Sequence, residues 1–143
     1  MSQLSVQLAK EYVKGMDGHK KDTTEYKSPP IGWIMSEKFD GYRALFRYEN
    51  GKPTFYSRSG KLFSAPEWFY RAMPPINLLG DNILDGELWA GRDNFQLMGT
   101  VRKKKPIDSE WVDIKYQVYD ITTIEDTFLV RLKKVKNIIE FCQ

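Results

Sequence analysis

Three Asp-Gly pairs punctuate the chain, Asp17-Gly18, Asp40-Gly41 and Asp85-Gly86. The first sits in a polar stretch and reads as a turn. The other two interrupt β-prone runs, where glycine weakens a strand and aspartate is disfavoured, so a close backbone approach to a ligand or a special turn is expected at each. Local rules of this kind break where function is concentrated. Around the second pair, Glu37-Lys38-Phe39-Asp40-Gly41-Tyr42-Arg43 sets a lysine shortly before an acid and an arginine. In extended chain Lys38, Asp40 and Tyr42 point to one side, and the glycine allows a turn that brings Arg43 to join them. The residue types alone fit a plain Lys–Asp ion pair as well as a working site. The third pair stands in Leu84-Asp85-Gly86-Glu87-Leu88-Trp89 and puts Asp85 and Glu87 on one face of a strand. Two neighbouring carboxylates repel unless a cation or ligand hydroxyls lie between them. Mg²⁺ takes oxygen ligands, usually one or two carboxylates plus substrate phosphates, so this face suits a nucleotide site; two solvated acids on an edge strand is the plain alternative.

Composition narrows the chemistry further. At 143 residues the chain fits one domain, and 41% apolar with 14% aromatic residues can bury a core. The single Cys142 excludes an internal disulfide, and Cys142 with the single His19 cannot supply a structural zinc site or a Cys/His or Ser/His nucleophilic pair. No apolar run approaches the ~18 residues of a membrane span, and the N-terminus lacks the layout of a signal peptide, so a soluble, intracellular protein with no membrane partner is expected. The net charge of +3 permits a nucleic-acid partner without arguing for one. The sharpest cluster, Arg102-Lys103-Lys104-Lys105 before Pro106, is either a solvated loop or a phosphate contact.

These residues need elements to hold them. Leu4, Leu8 and Tyr12 predict a short helix within 4–14, and 15–30 reads as a polar connection. From Ile31 the texture turns to short β-prone runs, and Asn50-Gly51 between two of them is a strong hairpin signal. Ala44, Phe46 and Tyr48 then face one way, and Arg43, Leu45 and Arg47 the other. PEWFYRAM predicts a helix with Pro66 at its first turn, NILDGELWA a strand, FQLMGTVR a short helix, KYQVYDI an alternating strand, and FLVRLKKVKNIIEF a helix. Strands and helices intersperse without regular βαβ alternation, which predicts an α+β fold with largely antiparallel sheet flanked by helices.

Taken together the motifs resemble those of the nucleotidyltransferase superfamily of ATP-dependent polynucleotide ligases and mRNA-capping enzymes. Lys38-Phe39-Asp40-Gly41-Tyr42-Arg43 resembles the family's KxDGxR motif, Ser57-Arg58-Ser59-Gly60 its SRxG element, Leu84–Trp89 its third motif, and Tyr116-Gln117-Val118-Tyr119-Asp120 the aromatic strand after that. The phrases SRSGK, APEW and LDGELWAGR are similar in particular to minimal bacterial and viral ATP-dependent DNA ligases; capping enzymes share the lysine motif and match the rest less well.

The resemblance implies roles. Lys38 is the expected nucleophile toward the α-phosphate of ATP, leaving a lysyl-AMP adduct. A lysine with a pKa of ~10.4 is neutral at pH 7 about once in 10³·⁴, a handicap of roughly 4.6 kcal/mol that its surroundings must offset. Asp40 orients the lysine and later acts near the nick 3′-OH. Ser36, Glu37, Arg43, Arg58, Glu87 and Tyr119 line the nucleotide, with Tyr119 stacking on adenine, and Glu87 and Asp85 face Mg²⁺. Nicked duplex DNA is the implied partner, met by Arg58, Phe95 and the run Arg102, Lys103, Lys104 and Lys105. For Tyr119 and Phe95 a simple core role is the alternative.

The chain departs from the family pattern after these motifs. Glu-Gly, expected in the fourth motif, occurs nowhere, and Lys134-Val135-Lys136 has the letters of the fifth motif but lies in a helical pattern. The expectation is therefore one incomplete adenylation domain over 1–143, with 1–30 as helix and connecting loop, no OB-fold domain, and a complementary C-terminal ligase fragment as a possible partner. An RNA-ligase or guanylyltransferase relative, or a non-catalytic nucleotide- or DNA-binding remnant, are the alternatives.

Overall fold

Asn50 and Gly51 both take positive φ, 52° and 76°, in the computed structural model, which describes residues 37–141. This is the backbone of a two-residue primed turn, whose twist matches the strands it joins. It connects β1 (Tyr42–Glu49) to β2 (Lys52–Tyr56), with Glu49 opposite Lys52 and Phe46 opposite Phe55. A short β3 (Leu62–Phe63) pairs with β2; β4 (Leu84–Trp89) lies on the other side of β1, and β5 (Lys115–Ile121) beyond it. The order is β3-β2-β1-β4-β5, antiparallel at every pairing. From Phe39 onward the described chain forms one unit. The expected helix within 4–14, the connection 15–30, His19, Ser36, Cys142 and most of the strand-like run from Ile31 lie outside the described residues.

One face of the sheet is apolar. Ala44, Phe46, Phe55, Leu84, Leu88 and Ile121 are buried there. Over them pack Phe69 of α1 (Glu67–Arg71), Leu79 of α2 (Ile76–Leu79), Met98 and Val101 of a 3₁₀ helix at Phe95–Arg102, Trp111 of another at Asp108–Trp111, and Val135 of α3 (Phe128–Phe141). Each large side chain so buried stabilises the fold by about 1.5–3 kcal/mol relative to exposure, which leaves the opposite face able to carry charge. The α+β architecture with antiparallel sheet is as expected. The helix expected over PEWFYRAM is shorter: Pro66 caps it, it ends at Arg71, and Pro74-Pro75 prevents continuation. Pro75 then caps α2, whose single turn is too short to show a periodicity in sequence. Within α3, Val135 carries the buried contact while Leu129 is exposed. Among the described residues no helix is long and apolar enough to cross a membrane.

Two expectations are corrected. Gly41 and Gly86 are indeed places of close backbone approach, but the approaching group belongs to the protein and not to a ligand. A Cβ on Gly41 would lie 2.0 Å from the Leu88 carbonyl oxygen, and one on Gly86 2.4 Å from the Gln117 oxygen and 2.8 Å from the Tyr116 ring. Tyr116 needs that space, because its buried hydroxyl crosses under the sheet to donate toward the carbonyls of Ala44 (2.9 Å) and Leu84 (3.1 Å). Nor does β5 alternate regularly. Asp120 pairs with Asp85 but Val118 with Gly86, so Tyr119 is the extra residue of a β-bulge. Tyr116 and Val118 face the core on one side of the bulge and Ile121 on the other, so the extra residue lets Tyr119 and Asp120 both face the charged side.

Candidate active site

On that face β1 and β4 bring Arg43 and Asp85 together. Arg43 Nε donates to Asp85 Oδ1 at 3.0 Å and Nη2 to Oδ2, a two-pronged contact that matches guanidinium to carboxylate geometry. Asp85 is 1% exposed. Burial pushes its carboxyl up and the Arg43 bonds pull it back, while the Arg43 guanidinium is pushed up by the same bonds. Tyr119 completes the group: its ring lies 5.7 Å from Arg43 Cζ. Burial and the Asp85 charge raise the Tyr119 phenol well above its ordinary value, so it stays a neutral donor. Asp85, expected beside Mg²⁺, thus has both oxygens engaged by Arg43.

Glu87 lies on the same side of β4, opposite Arg43 in the register. Its Oε2 accepts the Gly41 N–H at 3.1 Å, which ties the Asp40-Gly41 bend to β4. Phe39 packs on Trp89 at 4.7 Å between ring centroids, a second tie between the same segments. Asp40 is exposed beside them, and Glu37 and Lys38, just before this unit, are exposed as well. The arrangement delivers the segment after the lysine to the strand that carries Asp85 and Glu87.

Two further expected sites lie on other loops. The SRSG element forms the β2–β3 turn: the Gly60 N–H donates to the Ser57 carbonyl at 2.9 Å, the Lys61 N–H to Ser57 Oγ at 3.1 Å, and Gly60 takes φ 88°. Serine and glycine are therefore turn chemistry, and what the turn presents to solvent is Arg58. Phe95 opens its 3₁₀ helix half exposed, its ring 5.9 Å from Tyr42, which in turn stands 6.3 Å from Phe63. In the basic run Arg102, Lys104 and Lys105 are exposed, but Lys103 is engaged: its Nζ donates to both Glu110 oxygens, at 3.1 and 2.9 Å, and Thr100 Oγ1 donates to the same carboxylate at 2.6 Å. The Thr100 bond first, then Lys103, holds the Glu110 carboxyl below its ordinary range.

Sequence reasoning assigned nothing to Asp120 or Arg131. Asp120 is 8% exposed, and Arg131 of α3 reaches it through Nε at 2.8 Å and Nη2 at 3.3 Å. Asp120 ends the aromatic strand motif, which was a signal; Arg131 lies in an ordinary amphipathic helix and gave none.

The ATP-dependent DNA ligase domain family matches residues 11–140 of this chain. A DNA ligase of Haemophilus influenzae is 37% identical over 112 residues, 78% of this chain and 38% of the relative. Among solved structures, one from a structure–function study of Lig E DNA ligases, on DNA binding with a minimal scaffold, aligns with TM-score 0.59 and 28% identity over 74% of this chain and 38% of that one. Pmar-Lig_PreS3 aligns with TM-score 0.57 and 25% identity over 73% of this chain and 26% of its own. The chain spans about two-fifths or less of the length of these relatives. The chain belongs to the ATP-dependent DNA ligase domain family.

Proposed function

We propose that this chain is the lysine-bearing, adenosine-binding part of an ATP-dependent DNA ligase. In this reading the neutral Lys38 Nζ attacks the α-phosphorus of ATP, its P–N bond forms as the bond to pyrophosphate breaks, and the AMP so held passes to the 5′-phosphate of a nick in duplex DNA. The observation that carries the reading is the Arg43–Asp85–Tyr119 cluster: an aromatic ring on the charged face at a bulge, with a guanidinium fixed against it. The Tyr119 ring offers adenine a stacking face, and Arg43 and Glu87 are the proposed contacts to the ribose hydroxyls. Asp40 is the group beside Lys38 that orients its amine, and Ser36 and Glu37 precede it in the same segment. Magnesium ion would neutralise charge on the phosphates. Among the described residues no three His, Cys, Asp or Glu side chains group to hold a metal, and Asp85 is taken by Arg43. Glu87 is the remaining carboxylate of the expected pair, which fits a Mg²⁺ held mainly by phosphate oxygens.

Titrating the chain with AMP and following its Tyr and Trp fluorescence tests the reading. Binding is expected, and Y119A should weaken it about tenfold, within the ~1–3 kcal/mol of base stacking on an aromatic side chain. Ribose 5-phosphate should bind more weakly and be indifferent to Y119A. An equal response to both ligands would remove adenine stacking.

For DNA, Arg58 and the exposed members of the basic run are the proposed phosphate contacts, with Phe95 beside the nick. Each phosphate neutralised contributes roughly 0.9 to the slope of log affinity against log salt. R102A, K104A and K105A should each flatten that slope by about this amount, and K103A by less, because its ammonium is already bound to Glu110. Fluorescence anisotropy with nicked duplex at several salt concentrations measures it; unchanged slopes in all four variants would make the run a solvated loop.

A further inference from the structure

Phe95 is a large apolar side chain left 51% exposed on a backbone that has little freedom of its own. Gly91 and Asp93 just before it both take positive φ, 101° and 60°, and for Asp93 this is a conformation that residues with a side chain seldom adopt. The Asn94 side chain donates from Nδ2 to the Ala90 carbonyl at 3.1 Å, and the Leu97 N–H donates to the Asn94 carbonyl at 3.0 Å. These bonds fix where the chain carries Phe95. They do not fix the ring, which at a half-exposed position has more than one staggered rotamer open to it.

Tyr42 supplies the missing restraint. Its ring is tilted 46° to that of Phe95 with the centroids 5.9 Å apart, and it is the one ring that Phe95 meets among the described residues. On its other side Tyr42 stands 6.3 Å from Phe63, which is itself held at the sheet edge by pairing with Phe55 and by the Tyr70 hydroxyl, a donor to the Phe63 carbonyl at 3.3 Å. Tyr42 and Phe63 are partly buried against the core, so only the Phe95 end of the row stands out into solvent. Tilted ring pairs at these separations attract one another. The row joins three segments: β3 just past the turn that carries Arg58, β1 just past the Asp40-Gly41 bend, and the 3₁₀ helix that ends at Arg102.

We propose that Tyr42 is a positioning residue for nick binding: its ring, backed by Phe63, holds the Phe95 ring in the setting that meets the DNA. The inference rests on the reading of Phe95 as the residue beside the nick. A ring already held in its bound rotamer loses less conformational freedom when DNA arrives, so affinity is gained without a new contact to the DNA. Arg43, the next residue on β1, turns to the opposite face, and neighbouring side chains of one strand thereby serve nucleotide and nick.

The test uses the full chain and compares its affinity for nicked and for intact duplex by fluorescence anisotropy. F95A should weaken binding of the nicked duplex about tenfold, as loss of a base-facing aromatic ring does. Y42L keeps apolar bulk but removes the ring, and should weaken it about fivefold, within the range of one aromatic pair. Intact duplex should respond to either variant by no more than about twofold, and Y42F, which keeps the ring, should stay within the same limit on both. Y42L/F95A should bind no more weakly than F95A, because Tyr42 acts only through Phe95. Losses that add in the double variant, equal losses on the two duplexes, or Y42F as weak as Y42L mean that Tyr42 merely packs, and overturn the proposal. Should Y42L not fold, F63L decides in its place: about a threefold loss on nicked duplex is expected, absent when Phe95 is already alanine, and no loss overturns the proposal. If F95A binds nicked duplex as the unchanged chain does, the nick reading of Phe95 fails and the proposal falls with it. If F95A weakens binding while Y42L does not, that reading stands and the role of Tyr42 alone is removed.

Discussion

Incubated with ATP and Mg²⁺, residues 1–143 alone are expected to acquire no AMP on Lys38. The family resemblance assigns the charge that develops on the α-phosphate and departing pyrophosphate to a metal and two lysines of a later strand motif. Removing one such preorganised donor typically costs about 10²–10³ in rate, so lacking two lysines and a metal carboxylate should take the reaction below detection. The Lys134-Val135-Lys136 run does not substitute. Lys134 and Lys136 lie on α3 on either side of the buried Val135, and residues two apart on a helix do not share a face. The Glu-Gly of the preceding motif is absent from the sequence as well. Intact-mass spectrometry reads the result directly. A longer chain, or a complementary fragment that carries those motifs, should yield a mass gain of one AMP that K38A abolishes. Efficient labelling of residues 1–143 by themselves would contradict the proposal and return Lys134 and Lys136 to consideration.

Replacing Gly86 by alanine is expected to be the most damaging single methyl group that this fold can receive on β4. The added Cβ would stand 2.4 Å from the Gln117 carbonyl oxygen and 2.8 Å from Cε1 of Tyr116. A flexible side-chain end could yield, but the first obstacle is the backbone of β5, hydrogen-bonded in the ladder, and the second is a ring fixed by its bonds to Ala44 and Leu84. Relief therefore requires β5 to move away from β4, next to the bulge that aims Tyr119. Overpacking a core costs typically ~1–3 kcal/mol, and this case belongs at or above the top of that range. Urea unfolding should show a midpoint shift of that size, with AMP binding lost in parallel. G99A is the control: a Cβ there meets nothing within 4 Å, and it should change stability by no more than about 0.5 kcal/mol. Equal midpoints for G86A and the unchanged chain would mean that β4 and β5 are not packed this closely.

Much of this protein was legible in the amino-acid order because the signals are local. The Asn50-Gly51 hairpin follows from the positive φ that a two-residue turn demands, β5 and α3 from the β-prone and amphipathic runs that bound them, and the antiparallel α+β character from how those runs intersperse. The chemistry-bearing motifs were equally visible, because Lys38 to Arg43 and Asp85 to Glu87 are contiguous strings. What the sequence could not contain was the partner of each group. Whether Asp85 faces a metal or an arginine depends on strands 42 residues apart meeting in one register, and only the folded sheet decides that. The glycines were recognised as places of close approach, but which surface approaches is a tertiary fact, and it turned out to be the neighbouring strand. The bulge at Tyr119 changes no residue and leaves no periodic trace; a single extra residue in the ladder sets Tyr119 and Asp120 on the charged side together, between Val118 and Ile121 on the core side. Lys103 looked like its basic neighbours until the fold set Glu110 and Thr100 against it. Arg131 carried no signal at all, since a guanidinium on a helix takes its meaning only from the buried carboxylate that the packing of α3 on β5 brings within 2.8 Å.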